Sequence, residues 1–527
     1  MLDHSPPITR SNKPILPHFD RQSVTAMLYS LALPALLLVN SASATKSVFG
    51  RRDLLVSDTV KCACTGLSSH SPNSTLFSNS TAYETQRIKV WDKRASLHPA
   101  CIYLPSTADD VAKGVEILST CKAQFAVKGG GHMNYPGANT IDDGVLLALN
   151  GLNTVTVNND ENTVDVGPGN KWVDVYSALA PYGKYAIGGR LKTIGVPGLT
   201  LIGGVSYFLN KYGFSMDNVV KYDVVLGNGT QVSATNTSNP DLFWALTGGG
   251  SNFGIVTKLS RKTLDLPLAT STYQIFNESA TQAFIKAAAD FALSDDNSEG
   301  AGAVININYN VTTKEVVPQV FGLQETIVSP PPHFANFTAI PAVSRSDNVT
   351  RPIDWHSQML SPNQMFRIQF GHQTIIPDAD RLYEIYQAWV EAIADIADIE
   401  GVRPTFILNA VPRTALAVGK NNGIGNTFGL DADQSYVWWQ ITTSWARPED
   451  DLRMTAWSQN FLAHHHEINQ ELGLAAEFVY MGDAGEWQKP FPAYGQGNLQ
   501  KMKDIRAQYD PNMVFSKLNW GGFKLGH

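Results

Sequence analysis

Lys128-Gly-Gly-Gly-His132, continued by Met133-Asn-Tyr-Pro-Gly137, is the stretch on which the fold turns. Three consecutive glycines let the backbone approach a ligand closely, and a histidine follows them directly. Upstream, Thr107 to Lys122 has helical spacing with a threonine at its start, and Gln124-Phe-Ala-Val127 is a short apolar run of strand type. The spacing therefore predicts helix, strand, then glycine loop. At a strand end, successive backbone N–H groups can curl into a nest that holds a pyrophosphate without a basic side chain. His132 then lies beside whatever the phosphates carry. Taken alone, these residues also describe an ordinary glycine turn with a surface histidine, so the decision rests on the rest of the chain.

A second glycine-dense region follows, Pro181 to Arg190 running into Ile194-Gly-Val-Pro-Gly-Leu-Thr-Leu-Ile-Gly-Gly204. Then come Lys211-Tyr-Gly213, Met216-Asp-Asn-Val219 and Gly248-Gly-Gly-Ser-Asn-Phe-Gly-Ile-Val256. Near the C-terminus stand Tyr509-Asp-Pro-Asn-Met-Val-Phe515 and Gly521-Gly-Phe-Lys524. Each motif is weak alone. In this order, from about Cys62 onward, the chain resembles the flavin-linked oxidoreductases of the vanillyl-alcohol-oxidase type, in particular the fungal branch similar to berberine bridge enzyme.

The resemblance implies an α+β fold with a two-part FAD-binding domain, residues 61–265 together with the returning segment 479–527. Between them, residues 270–478 are expected to form a substrate domain of antiparallel sheet backed by helices. It also implies FAD as cofactor, contacted by Gly129, Gly130, Gly131, His132 and Met133 of the first loop. The second loop supplies Gly195, Gly198, Thr200, Gly203 and Gly204, and Asn218, Gly254, Ile255 and Asn519 complete the set. In the family the histidine of this motif bonds covalently to the flavin 8α-methyl, and His132 is the matching residue. Many relatives add a link through a cysteine in the segment matching Ile187 to Gly195. Here Arg190-Leu-Lys-Thr-Ile194 contains none, so a single covalent link without a 6-S-cysteinyl bond is expected.

For chemistry, relatives carry a tyrosine with an asparagine two residues on, in a strand returning to the flavin. Tyr480-Met-Gly-Asp-Ala484 is the match, with the tyrosine kept and the asparagine absent. Tyr480 is a candidate acid, base or stacking group with Asp483 as its partner; a buried structural tyrosine is the competing account. Trp438-Trp439, on the strand-like stretch Ser435 to Thr443, puts one indole on each sheet face, one for the core and one for a substrate cavity. His464-His-His466 falls on the helical stretch Leu452 to Leu472. Adjacent helical residues diverge, so the three read as surface-helix residues rather than a metal site, and no metal is expected.

Composition bounds the alternatives. With 527 residues, 43% hydrophobic and 17% charged, the chain is ordinary globular material, and a net charge of -7 without a basic stripe argues against nucleic acid. Ala26 to Val39 is an apolar run followed by Asn40-Ser-Ala-Ser-Ala44, which reads residues 1–44 as a signal peptide with an extended lead, or one starting at Met27. The run is short for a membrane span and contains Pro34. Cys62, Cys64, Cys101 and Cys121 cluster before the glycine loop, and two disulfides are expected in an exported chain; three connectivities are open. Eight Asn-x-Ser/Thr sequons, beginning at Asn73, Asn79, Asn228, Asn236, Asn277, Asn310, Asn336 and Asn348, agree with export and glycosylation. The reading is an oxidase of a small organic substrate, using molecular oxygen, of the kind that tailors fungal secondary metabolites, with no obligate protein partner. A carbohydrate oxidase and a non-catalytic flavin-bearing binding protein are the alternatives.

Overall fold

Alternating apolar residues from Ala269 onward make long strands, and these assemble into an eight-stranded sheet that is antiparallel at every pairing. The structure, a computed structural model, describes residues 56–359 and 366–526. The strand order is Ser344–Thr350, Ala269–Ile275, Val316–Gln324, Ala301–Tyr309, Arg403–Val411, Tyr436–Trp445, Arg367–Ile375 and the short Ala475–Ala476. Helices Thr281–Leu293, Ala379–Ala392 and Asp451–Glu471 close one face over a core containing Phe284, Trp389, Phe406 and Trp439. The expected sheet backed by helices is what forms.

The two-residue period of Tyr436–Trp445 separates the tryptophan pair. Both indoles are fully buried. Trp439 joins the helix-side core, and Trp438 joins the core on the opposite face, together with Tyr207, Phe214 and Tyr480. That second face is the one that meets the glycine loops.

The N-terminal half holds two smaller sheets. In the first, Cys101–Tyr103, Val145–Ala148 and Phe125–Lys128 run parallel, with Thr75–Leu76 added antiparallel at one edge. Helix Ala108–Cys121 feeds it, started by a capping box in which the Thr107 hydroxyl accepts from the Asp110 N–H and the Asp110 carboxylate accepts from the Thr107 N–H. The strand Phe125–Lys128 then ends on Gly129, so the predicted order of helix, strand and loop holds. The second sheet is antiparallel, in the order Val155–Asn158, Thr163–Val166, Ile255–Lys262, Val219–Val225, Gln231–Ala234.

Both expected disulfides are present, as Cys62–Cys121 and Cys64–Cys101, and no cysteine is free. They tie helix Asp58–His70 to the helix and strand of the first sheet. Closing loops of 59 and 37 residues, each is worth about 4 kcal/mol of chain entropy in the unfolded state. All eight sequon asparagines are solvent-exposed. The signal-peptide reading of residues 1–44 falls outside the described residues. Among those described, no helix is long and apolar enough to cross a membrane.

Two local expectations are corrected. The histidine run lies on helix Asp451–Glu471 as predicted, but His465 is buried rather than on the surface: its Nδ1 accepts from Arg381 Nη2 at 3.0 Å, and its ring packs on Phe461. The helix is sandwiched against the sheet, so one histidine in the run has to face inward. Tyr480 does not sit on a strand. The chain is paired with Arg367–Ile375 only through Ala475–Ala476, then peels off the sheet edge and turns at residues 481–483.

Candidate functional site

The two glycine loops, some sixty residues apart in sequence, touch backbone to backbone. A Cβ on Gly130 would stand 2.5 Å from the Gly195 Cα, and a Cβ on Gly195 would stand 2.6 Å from the Gly130 Cα. Neither position has room for a side chain. Gly131 has φ +70°, a conformation open to glycine at little cost. It turns the chain into His132. The imidazole stacks on Trp91 at 4.8 Å, and its Nε2 lies 3.1 Å from the Thr193 hydroxyl, so the segment without a cysteine supplies a hydroxyl neighbour instead. Burial holds the His132 pKa down at about 4, which keeps the ring neutral at neutral pH.

Beyond His132 the chain is unusually rich in unpaired polarity. Both amide atoms of Asn134, both of Asn139 and the Tyr135 hydroxyl are buried without a hydrogen-bond partner. Folded proteins rarely leave such groups unsatisfied. Five orphaned atoms within six residues mark where a polar ligand belongs. The C-terminal segment lines the same place. Asn519 lies beside Phe125, the Trp520 N–H donates to the Phe125 carbonyl at 2.6 Å, and a Cβ on Gly521 would meet the Gly137 carbonyl at 1.8 Å. Asn252, in the third glycine motif, donates to the Phe523 carbonyl and accepts from the Leu525 N–H.

The remaining expected contacts divide by what they do. Thr200 is fixed by the buried Arg261, which also holds the Ile187 and Ser215 carbonyls and so ties three loops together. Asn218 donates to the Tyr212 and Phe214 carbonyls and shapes its own loop. At Gly254 a Cβ would strike Val224 at 2.4 Å, and Ile255 is buried in the core beneath the first sheet. Gly198 is exposed with nothing within 4 Å of a built Cβ, and Met133 is half-buried.

The second loop ends at Gly203 and Gly204, with φ +108° and +87°. This turn directs the Gly204 N–H at the Tyr480 hydroxyl oxygen, 3.2 Å away. Tyr480 is buried, stacks on Trp438 at 4.8 Å, and donates its own backbone N–H to His372 Nε2 at 2.6 Å. Burial, with the Asp483 charge beside it, pushes the phenol pKa well above its ordinary value. Asp483 Oδ2 accepts from Asn409 Nδ2 at 3.0 Å. Burial raises this carboxyl to about 6 against the opposing pull of the Arg190 guanidinium. Sequence reasoning placed Tyr480 and Asp483 together but missed His372, Asn409 and the inward turn of Arg190.

Comparison with known proteins gives this geometry a family. Residues 99–235 match the FAD binding domain. A FAD-dependent monooxygenase of Penicillium roqueforti is 32% identical over 478 residues, 88% of this chain and 93% of its own length. The chain belongs to the FAD-linked oxidoreductases of the vanillyl-alcohol-oxidase type. The bifunctional solanapyrone synthase of Alternaria solani is 30% identical, across 88% of this chain and 89% of its own. Among solved structures, the glucooligosaccharide oxidase of Acremonium strictum shares the fold with a TM-score of 0.70 at 20% identity, covering 86% of this chain and 97% of the other.

As a FAD-linked oxidoreductase, the protein presents residues that fit that cofactor. The side-chain-free contact of the two loops gives close backbone approach, and the orphaned amides after His132 offer donors and acceptors to a polar group. His372 matters to the other wall. Its Nε2 must be unprotonated to accept from the Tyr480 N–H, and burial lowers its pKa from 6.5 to about 4. A folded-state pKa below the unfolded one means that protons favour the unfolded chain, so stability falls as pH drops from about 6.5 to about 4. The full cost is about 3 kcal/mol. His372→Gln, which keeps an acceptor without titrating, should flatten that part of the profile of melting temperature against pH. An unchanged slope in the variant would assign the acid loss elsewhere.

Proposed function

We propose that the protein oxidises a small organic substrate at the junction of the glycine loops and the open face of the large sheet, with molecular oxygen as final acceptor. The observation that carries this is the placement of Tyr480 against the Gly203–Gly204 turn with the Asp483 charge beside it, on the face opposite the helices. FAD supplies the hydride acceptor and, on reoxidation by oxygen, the route to hydrogen peroxide. The chain's own part is to hold the substrate beside the Tyr480–Asp483 turn and to take its proton on Asp483, while Trp438, stacked between Phe214 and Tyr480, backs the tyrosine from the core. A carboxyl that titrates near 6 is ionised at neutral pH and suited to that task. Tyr480 stays protonated there and serves as a hydrogen-bonding group.

In this reading residues 61–265 and 479–527 make up the FAD-binding domain and residues 270–478 the substrate domain. His132 carries the cofactor through its 8α-methyl, and with no cysteine near Thr193 there is no second link. Two disulfides and eight exposed sequons support passage through the secretory pathway. Similarity to the solanapyrone synthase of Alternaria solani favours a small organic substrate over a sugar. Peroxide release from the purified protein, screened in parallel on phenolic and polyketide-type compounds and on mono- and oligosaccharides, tests this. Turnover of sugars alone would replace the reading with a carbohydrate oxidase. A flavin that no compound bleaches anaerobically would make the protein a flavin-bearing binder.

A further inference from the structure

Arg190, Asn409 and Asp483 come from three separate parts of the chain and form one line of hydrogen bonds. Arg190 follows the glycine pair in the segment where many relatives carry a cysteine. Asn409 lies on the sheet strand Arg403–Val411, and Asp483 lies in the turn after the chain leaves the sheet edge. Arg190 Nη1 donates to the Ala303 carbonyl at 2.7 Å, and Nη2 donates to Asn409 Oδ1 at 2.9 Å. A guanidinium has donors only, so the amide oxygen of Asn409 must face it. That leaves Asn409 Nδ2 for Asp483 Oδ2, at 3.0 Å.

Chemistry thus fixes the polarity of the whole line, from cation through amide to carboxylate. The Asn409 donor on Oδ2 is stronger toward the carboxylate than toward the protonated acid, and so favours the charged form. Among the described residues no protein donor reaches Oδ1, which is the oxygen left for a substrate proton. We propose that Arg190 and Asn409 are positioning residues that hold Asp483 as an oriented carboxylate base, with Oδ2 anchored and Oδ1 presented to the substrate.

This deepens the flavoenzyme reading and rests on it. Five other groups face the line; among them His356, bonded to the Arg190 backbone, is neutral above about 3, and burial lowers the pKa of His333, which lines the cavity shared with Arg190 and Ala303. Tyr480 is held protonated by burial, Tyr207 beside Arg190 is pushed up to about 12, and His372 is neutral above about 4. Asp483 is accordingly the group of this line that changes charge near pH 6.

The flavin chromophore of the intact holoenzyme reads this without a substrate. Its visible absorbance, followed from about pH 5 to about pH 9, should show an inflection near 6 that Asp483→Asn abolishes. Asn409→Leu and Arg190→Gln should each move it upward by about one unit, and Arg190→Lys should restore part of the shift. A purely structural role would change melting temperature or flavin content and leave the inflection in place. Should Asn409→Leu not retain flavin, the two Arg190 variants decide. Inflections unmoved in the Arg190 variants, or a wild-type inflection that survives Asp483→Asn, overturn the proposal. Purified wild-type protein without flavin would instead defeat the reading beneath it.

Discussion

Denatured in acid, the wild-type protein should keep its flavin on the polypeptide, and the His132→Ala variant should release all of it. The geometry makes this an all-or-none difference. His132 follows the two-loop contact directly, its ring is clamped between Trp91 and Thr193, and burial keeps it neutral. A neutral imidazole is the form able to bond to carbon. In the tautomer whose Nε2–H donates to the Thr193 hydroxyl, Nδ1 carries the lone pair that can bond to carbon. The variant should still be yellow before denaturation, because the Gly130–Gly195 contact and the unpaired Asn134, Tyr135 and Asn139 atoms do not depend on the imidazole. Its stability should fall modestly, since one aromatic stack is worth about 0.5–1.5 kcal/mol. The measurement is flavin absorbance in supernatant and pellet after acid precipitation. Wild-type flavin found wholly in the supernatant would rule out the covalent link and leave the cradle as the only hold on the cofactor.

What the sequence made legible follows from the range of the forces involved. The glycine loops were readable because glycine is required where backbones touch, and that requirement is local even when the partner is remote: Gly130 and Gly195 each announce the contact without naming the other. Helix Ala108–Cys121 was readable from its cap, and Tyr436–Trp445 from its period of two. Tyr480 and Asp483 could be named from the resemblance. Their surroundings could not. Asn409 looks like a stray polar residue in a largely apolar strand and His372 like one of several polar residues in Arg367–Ile375, and only the folding of the chain edge over the sheet brings the Tyr480 N–H to His372 and the Asp483 carboxylate to Asn409. Arg190 was noted for the cysteine missing beside it. Its inward turn depends on the Ala303 carbonyl and Asn409, more than a hundred residues away. A polar residue in an otherwise apolar strand is a signal only for Asn409, and it says that a partner exists without saying which.

Asp483→Asn should slow anaerobic flavin reduction by about a hundredfold to ten-thousandfold, the usual cost of losing a general base, while flavin stays bound. The comparison with Tyr480→Phe is what gives the result meaning. Tyr480 keeps its proton at neutral pH because burial and the Asp483 charge both oppose its ionisation. It is therefore not the resting base, and phenylalanine preserves the stack on Trp438. What that change removes is the acceptor for the Gly204 N–H, leaving a buried donor unpaired at a cost of about 1–3 kcal/mol in stability. The rate should drop less than in Asp483→Asn. The pH dependence separates the two more sharply than the size of the loss. A carboxyl titrating near 6 must lose its proton to act, so the wild-type rate should rise with pH through about 6 and level above it. Tyr480→Phe removes a neutral group and should keep that rising limb; Asp483→Asn removes the titrating group and should lose it. Stopped-flow reduction with a substrate found by the peroxide screen, repeated across pH, measures both. A limb that disappears in Tyr480→Phe and persists in Asp483→Asn would reverse the assignment and make the phenol, held by the Gly204 N–H, the group that takes the proton.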